Sequence, residues 1–419
     1  MKMNKKILFL LVILLVLFFR NNAFSVGNEN NAEKSGVSES GSVDTSINKN
    51  REMAQKAFQE GYDLFEDKDY KDACPLFYQY LSNSSPDDAD YEWAEFFFGI
   101  CLKKSGFSHA SVDTLSELVI RKPNPKIVSY CLEFFENTIR TSPFDHDLVI
   151  NKVICDQEYG FVGDELADFI HYHQGVYDWK HGFNSWGDDH FKKIKPGTYY
   201  FYQFQYYQAL MRVHTGQVDE AIVLLKKIME SPLQDNSLKN EVRKTIARLL
   251  YEKGAYKEAD KLYSEITKNI LEQSQNLLER AWAHYRIGNP EKAMGFLYAF
   301  EAPSFQNYFT PEYYILKSFI FKDVCHYQSA LQVVTDFKDR YGVALEDIYQ
   351  RGNPEDNYPL MLVLMNKKKI HETWKFLELL ESEKKEIESI PDKPLADYLE
   401  KTYALQIEES TNDLRLTIQ

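Results

Sequence analysis

Hydrophobic and polar positions along this 419-residue chain fall into three regimes. Lys2, Lys5 and Lys6 lead into Ile7–Phe19, thirteen apolar residues without interruption. That run is shorter than the roughly 20 residues a membrane-spanning helix needs, and it matches the apolar core of a secretion signal. Ala23-Phe24-Ser25 offers small residues for cleavage before Val26, while Arg20, directly after the run, argues for an uncleaved anchor. Asn28–Asn50 is poor in aromatics and rich in Asn, Ser, Glu and Gly, so nothing there repays ordering. Residues 1–25 are therefore expected to be a signal peptide or N-terminal anchor, and 26–50 a disordered tether. From Arg51 the apolar positions take a helical period broken by turn residues such as Pro86.

Within that helical stretch a pair of small residues twelve apart keeps returning. Gly175 with Gly187, Ala209 with Ala221, Ala247 with Ala259, Ala281 with Ala293 and Ser318 with Ala330 follow one another. Their first members are separated by 34, 38, 34 and 37 residues. Gly61 with Ala73 and Gly99 with Ser111 keep the spacing nearer the N-terminus, whereas residues 122–163 carry no such pair. Small residues at fixed points on two successive helices let the helices cross closely. A return of about 34 residues resembles the tetratricopeptide repeat, which has small residues at unit positions 8 and 20. Ala247, Leu250, Gly254, Tyr256, Ala259 and Tyr263 match positions 8, 11, 15, 17, 20 and 24. The resemblance implies an all-α, right-handed superhelical solenoid of about eight helix pairs. Residues 51–156 form partly degenerate N-terminal units on this basis, 163–341 the main array and 342–419 a C-terminal helical cap. The cap is expected as two longer helices, Pro359–Glu388 and Pro394–Leu416, because a solenoid exposes apolar surface at its last repeat.

Charge and cysteines narrow the partners. The formal charge is −14, and without residues 1–25 it becomes 45 − 63 = −18. Such acidity repels nucleic-acid phosphates and anionic headgroups, so neither is expected as a partner, and the membrane enters only through an uncleaved N-terminus. Cys74, Cys101, Cys131, Cys155 and Cys325 show no metal-type spacing and read as buried helical thiols, with Cys74 and Cys101 the couple to test for a disulfide.

Catalytic constellations are absent. There is no G-x-S-x-G, P-loop, G-x-G-x-x-G or H-E-x-x-H. The cluster His171, His173, His181, Asp188, Asp189 and His190 is the one metal candidate. However, residues two apart on a helix point about 200° away from each other, so His171 and His173 cannot share an ion. No enzyme activity, cofactor, metal or small-molecule substrate is expected.

What remains is the groove. In the tetratricopeptide family, helix A positions 2, 5, 9, 12 and 13 line a concave face that binds an extended peptide or a partner helix. Carried over unit by unit, these positions are Tyr172 and Trp179; Tyr206 and His214; Lys244, Arg248 and Tyr251; Trp282, Tyr285 and Arg286; and Ile315, Phe319 and Lys322. Aromatic and arginine side chains carry interface energy when desolvated. The expectation is a basic, aromatic groove in a non-enzymatic protein-binding scaffold. Glu279 stands where the family's carboxylate clamp has Asn, so C-terminal carboxylate recognition is not implied. The stretches Glu279–Trp282, Ala302–Phe305, Pro311-Glu312 and Cys325–Tyr327 resemble envelope-associated tetratricopeptide proteins of gliding and predatory bacteria. That resemblance implies a periplasmic scaffold in an envelope complex, of the motility or secretion kind. The alternative is a glycan- or peptidoglycan-binding module that stacks sugars on its tyrosines and tryptophans.

Overall fold

A computed structural model describes residues 41–266, 270–305, 311–350, 364 and 368–418. Among these the structure is helical without strands, and residues 51–419 form one compact unit. Among the described residues eight consecutive pairs precede the C-terminal helices. They are α1 (Gly41–Glu66) with α2 (Tyr70–Asn83), α3 (Tyr91–Ser105) with α4 (Ser108–Ile120), and α5 (Pro125–Thr141) with a π-helical segment, Asp147–Cys155. The main array continues with α6 (Asp164–Lys180) and α7 (Asn184–Lys193), then α8 (Tyr199–His214) and α9 (Val218–Glu230). It ends with α10 (Asn236–Glu252) and α11 (Tyr256–Ser264), α12 (Ile270–Ile287) and α13 (Pro290–Tyr298), and α14 (Pro311–Asp323) and α15 (Tyr327–Tyr349). A hairpin of α16 (Lys368–Glu386) and α17 (Lys393–Ile418) follows. Helix α1 begins ten residues before the expected start at Arg51, inside the stretch read as a tether.

Seven of these eight pairs turn in the same way. The connecting residues Lys68, Gly106, Gly182, Gly216, Gly254, Gly288 and Cys325 all have positive φ. The amides that follow turn back onto the preceding helix, as in Gly254 N–H to the Tyr251 carbonyl at 2.9 Å and Ala255 N–H to the Leu250 carbonyl at 2.9 Å. This is the left-handed C-terminal stop of a helix, which glycine adopts without strain. The third pair lacks it and enters the π-helical segment instead, which is where the small-residue spacing also fails.

The small residues sit at the crossings. Ala73, Ala209, Ala221, Ala247, Ala259, Ala281 and Ala293 are fully buried. A Cβ on Gly175 would come within 2.6 Å of Phe191, and one on Gly99 within 2.6 Å of Leu115. The last crossing is looser, with Ser318 and Ala330 only half-buried.

The two C-terminal helices form and bury an apolar face, but not on the last repeat. Phe376, Leu380, Ile387, Leu395, Leu399 and Tyr403 join a core with Phe77, Tyr80, Phe98, Leu102, Phe107 and Ala110 of the first two pairs. A clasp fixes the contact. Glu383 accepts the Ser108 and His109 amides at 2.9 and 3.0 Å, and the Tyr403 hydroxyl donates to it at 2.6 Å. The Glu383 carboxylate thereby caps the N-terminus of α4, where unsatisfied amides and the helix dipole favour negative charge. The first two pairs offer this site and their own apolar surface together, which the last repeat does not. The start of the first expected helix, including Leu360, lies outside the described residues, and α16 is described from Lys368.

All five cysteines are free thiols. Cys74 and Cys101 are buried in one core without bonding, and burial raises both thiols far above their usual pKa. Cys325 departs from the expected burial, because it occupies the exposed turn position that glycine fills in other pairs.

Candidate partner-binding face of the A helices

The first helix of each pair, here called A, lies beside the A helix of the next pair, and the groove residues make those contacts. Between α6 and α8, Tyr172 meets Tyr200 with ring centroids 5.7 Å apart, and Trp179 meets Tyr207 at 5.9 Å. Between α8 and α10, the Tyr206 hydroxyl and Thr245 Oγ1 are 3.0 Å apart. Between α10 and α12, Arg248 Nε donates to Glu279 Oε1 at 3.0 Å, and Arg286 reaches the Tyr251 hydroxyl. Between α12 and α14, the Tyr285 hydroxyl donates to Asp323 at 2.6 Å and Trp282 meets Phe319 at 6.5 Å. One band of side chains thus runs across five helices.

These residues do not contribute equally. Trp179 is used inside its own pair: its indole N–H donates to the Asn184 carbonyl and to Asp188, both at 3.1 Å, and its ring packs edge-on to Phe191. Tyr172 is half-buried, and burial raises its pKa. Tyr285 also keeps its proton to higher pH, first because it donates to Asp323 and then through burial. At the open end Ile315 and Phe319 are 46% and 43% exposed, and His214, Arg286 and Lys322 are exposed as well.

The charge differs from the expected basic groove. Lys244 pairs with Glu241 at 3.1 Å and Arg248 with Glu279, so these cations are balanced on the spot. Around them Asn240, Glu241, Lys244, Tyr263, Ile266, Gln275, Asn276 and Glu279 line a shallow depression. Asn276 Nδ2 donates to the Tyr263 carbonyl at 3.0 Å, while its buried Oδ1 has no donor. The face is mixed in charge and aromatic in surface.

Sequence transfer missed the corresponding face of the first three pairs. Tyr62 of α1, Trp93, Phe96 and Phe97 of α3 and Tyr130 of α5 are half-buried and touch in series. Tyr62 meets Phe97 at 5.4 Å, Trp93 meets Phe97 at 5.8 Å and Phe96 meets Tyr130 at 5.8 Å. The signal was present in Trp93, Phe96 and Phe97, whose i, i+3, i+4 spacing puts three rings on one helix face.

The histidine cluster resolves into separate roles. His171 and His190 face each other with Nδ1 atoms 3.0 Å apart, and His190 Nε2 lies 3.8 Å from Asp178. His173 is packed among Phe169, Tyr172 and Tyr200. Among the described residues no group of three or more His, Cys, Asp or Glu is arranged to hold a metal ion, and no helix is long and apolar enough to cross a membrane.

Repeated helix pairs with small crossing residues and left-handed turns define an all-α, tetratricopeptide-like solenoid. No family model matches the chain, and no curated protein does. Solved structures similar to it include a tetratricopeptide repeat protein from Parabacteroides merdae (11% identity, 84% of this chain and 99% of that chain, TM-score 0.24). A human IFIT1 dimer with PPP-AAAA matches at 13% identity over 88% of this chain and 84% of that one, with a TM-score of 0.33. Yeast Tom70 matches at 14% over 87% and 90%, with a TM-score of 0.29. At these scores the likeness decides nothing, and the repeat assignment rests on the crossings and turns described above.

Proposed function

We propose that this chain is a non-enzymatic scaffold of the bacterial cell envelope, exported through its N-terminal segment, that holds a partner protein on the A-helix face of the main array. The observation that carries this reading is the continuous band from Tyr172 to Lys322, in which neighbouring A helices present half-exposed aromatic and charged side chains side by side. Desolvating aromatics beside polar groups with mixed charge suits a protein segment better than a polyanion. Export is supported by Lys2–Phe19 and the small residues at 23–25. A photo-crosslinking amino acid placed in cells at Phe319 or Arg286 is expected to trap a discrete envelope protein. The same group at Val223, exposed on the second helix of its pair, is expected to trap none. Equal capture from both faces, or none from the A face, would overturn the assignment.

A further inference from the structure

Helix α15 ends the array without a cover among the described residues. Its Val333, Tyr341 and Ala344 are buried toward α14, where Tyr314 meets Phe337 and Tyr341 at 5.5 and 5.9 Å. Beside that buried face runs a second stripe: Tyr327, Leu331, Val334, Lys338, Gly342, Leu345 and Tyr349. At 3.6 residues per turn these positions stay within about 40° of one line along the helix. Tyr327, Leu331 and Tyr349 are 65%, 68% and 82% exposed, and Val334 and Leu345 are exposed as well. Single exposed apolar residues are ordinary on a soluble surface, but an aligned run of them marks an interaction site.

The stripe has a further property. Its spacings read 4, 3, 4, 4, 3, 4, the same from either end. About Lys338, Tyr327 mirrors Tyr349, Leu331 mirrors Leu345, and Val334 mirrors Gly342, whose missing side chain leaves room for the valine. A surface that is its own mirror along the helix meets the requirement for a two-fold contact, in which residue i touches residue j and j touches i. Such a contact brings two Lys338 ammonium groups together at the axis and needs acid beside them. Asp339 flanks the stripe about 100° round the helix. Lys338 and Asp339 are both exposed, and neither makes an ion pair within its own chain among the described residues. Across such an axis each Lys338 would lie next to Asp339 of the other copy, so the charges would alternate.

We propose that two copies of this chain associate antiparallel through α15, with the two-fold axis at Lys338. The Tyr327, Leu331, Leu345 and Tyr349 side chains supply the buried apolar contact, and Lys338 with Asp339 of the second copy sets the register. The pairing would join two groove-bearing arrays at their last repeats.

The test uses the full chain expressed with its own N-terminus, held in mild detergent, with mass measured by sedimentation and helix content by circular dichroism. A dimer is expected at tens of micromolar, and Leu331→Glu or Leu345→Glu is expected to yield monomer with unchanged helix content. Lys338→Glu and Asp339→Lys are each expected to weaken association by about tenfold, and the two together to restore it, because the reversed charges again alternate. Lys338→Cys in a Cys325→Ser background should form a disulfide-linked dimer on mild oxidation. Native Cys325 should not, since the antiparallel arrangement sets the two copies' Cys325 roughly 39 Å apart along the helices. A monomeric wild-type chain overturns the proposal, as does a dimer that survives Leu331→Glu or a charge reversal without rescue. Association through the N-terminal apolar run gives the second of these results, and a stripe reserved for a helix of another protein gives the first.

Discussion

The first two helix pairs and the last pair carry the same repeat signal yet have opposite surroundings. In the N-terminal pairs the C-terminal hairpin lies against the outside, so α4 is buried nearly all round: nine of its thirteen residues, including Ser111, Ser116 and His109, are buried. In the last pair α15 has one buried face and leaves Tyr327, Leu331, Leu345 and Tyr349 in solvent. A solenoid unit buries its inner face by pairing and its flanks by stacking, and what covers the remaining surface comes from outside the unit. Repeat spacing therefore sets the inner crossing and is silent on the outer cover.

The contrast breaks most directly at Glu383. Glu383→Ala leaves the Ser108 and His109 amides and the Tyr403 hydroxyl without their acceptor at a buried site. Each unsatisfied group costs about 1–3 kcal/mol, so a loss of at least about 3 kcal/mol is expected. The loss should be local: hydrogen exchange is expected to accelerate in α3 and α4 and to stay unchanged in α8–α13. Uniform acceleration would mean that the hairpin supports the whole array.

Crossings in the main array should respond to volume instead. A Cβ at Gly187 would collide with Trp179 and lie 2.8 Å from the Gly175 carbonyl oxygen, so Gly187→Ala is expected to cost about 1–3 kcal/mol in denaturant unfolding. Gly295, exposed within α13, has nothing within 4 Å of such a Cβ. Gly295→Ala is therefore expected to stabilise by about 0.5–1 kcal/mol.

The two regions should also differ in pH response. In the main array, burial, aided by the neighbouring His190 and Lys193, lowers His171 to about 4, and burial lowers His173 to about 3 and His190 in the same direction. The unfolded chain takes up these protons near pH 6.5, so their contribution to stability is present above that pH and lost on acidification toward about 4. At the hairpin contact the sign is opposite for Asp113. Burial, with Glu117, Asp145 and Glu409 adding repulsion, raises it to about 6. The folded chain then holds a proton that the unfolded chain releases near 3.8, so stability falls as pH rises through 6. Asp113→Asn is expected to stabilise the fold by about 1–2 kcal/mol at pH 8, read as a higher midpoint of thermal unfolding, and to change nothing at pH 3.5. His109, lowered to about 4 by burial in the same contact, keeps its own acid-side loss in that variant.

The smallest effects test the groove. Arg248→Glu sets a carboxylate against Glu279 and is expected to cost about 1 kcal/mol, whereas Arg286→Glu, on an exposed side chain, should cost less than about 0.5 kcal/mol. Thermal unfolding distinguishes the two. Capture of a crosslinked partner protein should fall in both if the band binds it, and loss in Arg248→Glu alone would trace the defect to array geometry.

The crossings were legible in the sequence because two small residues twelve apart can serve only a close approach of successive helices. The turn glycines were legible for a similar local reason, and the pair count followed from their return. Candidate groove residues were legible as positions, since a helical period assigns each residue to a face. Their partners were not: Arg248 looks like a free cation until Glu279, 31 residues on, is placed beside it, and Trp179 looks like a groove residue until Asn184 and Asp188 receive its indole N–H.

By itself, then, the sequence determined the local chemistry of each unit: helix faces, small crossings, left-handed turns and the acidic balance of the surface. Only the tertiary structure decided that the C-terminal hairpin returns to the first two pairs. That choice depends on a carboxylate at 383 meeting amides at 108 and 109, a contact across about 275 residues whose energy comes from burial and helix-end electrostatics. No periodicity encodes such a meeting, because period reports which face of a helix is apolar and not which surface will cover it.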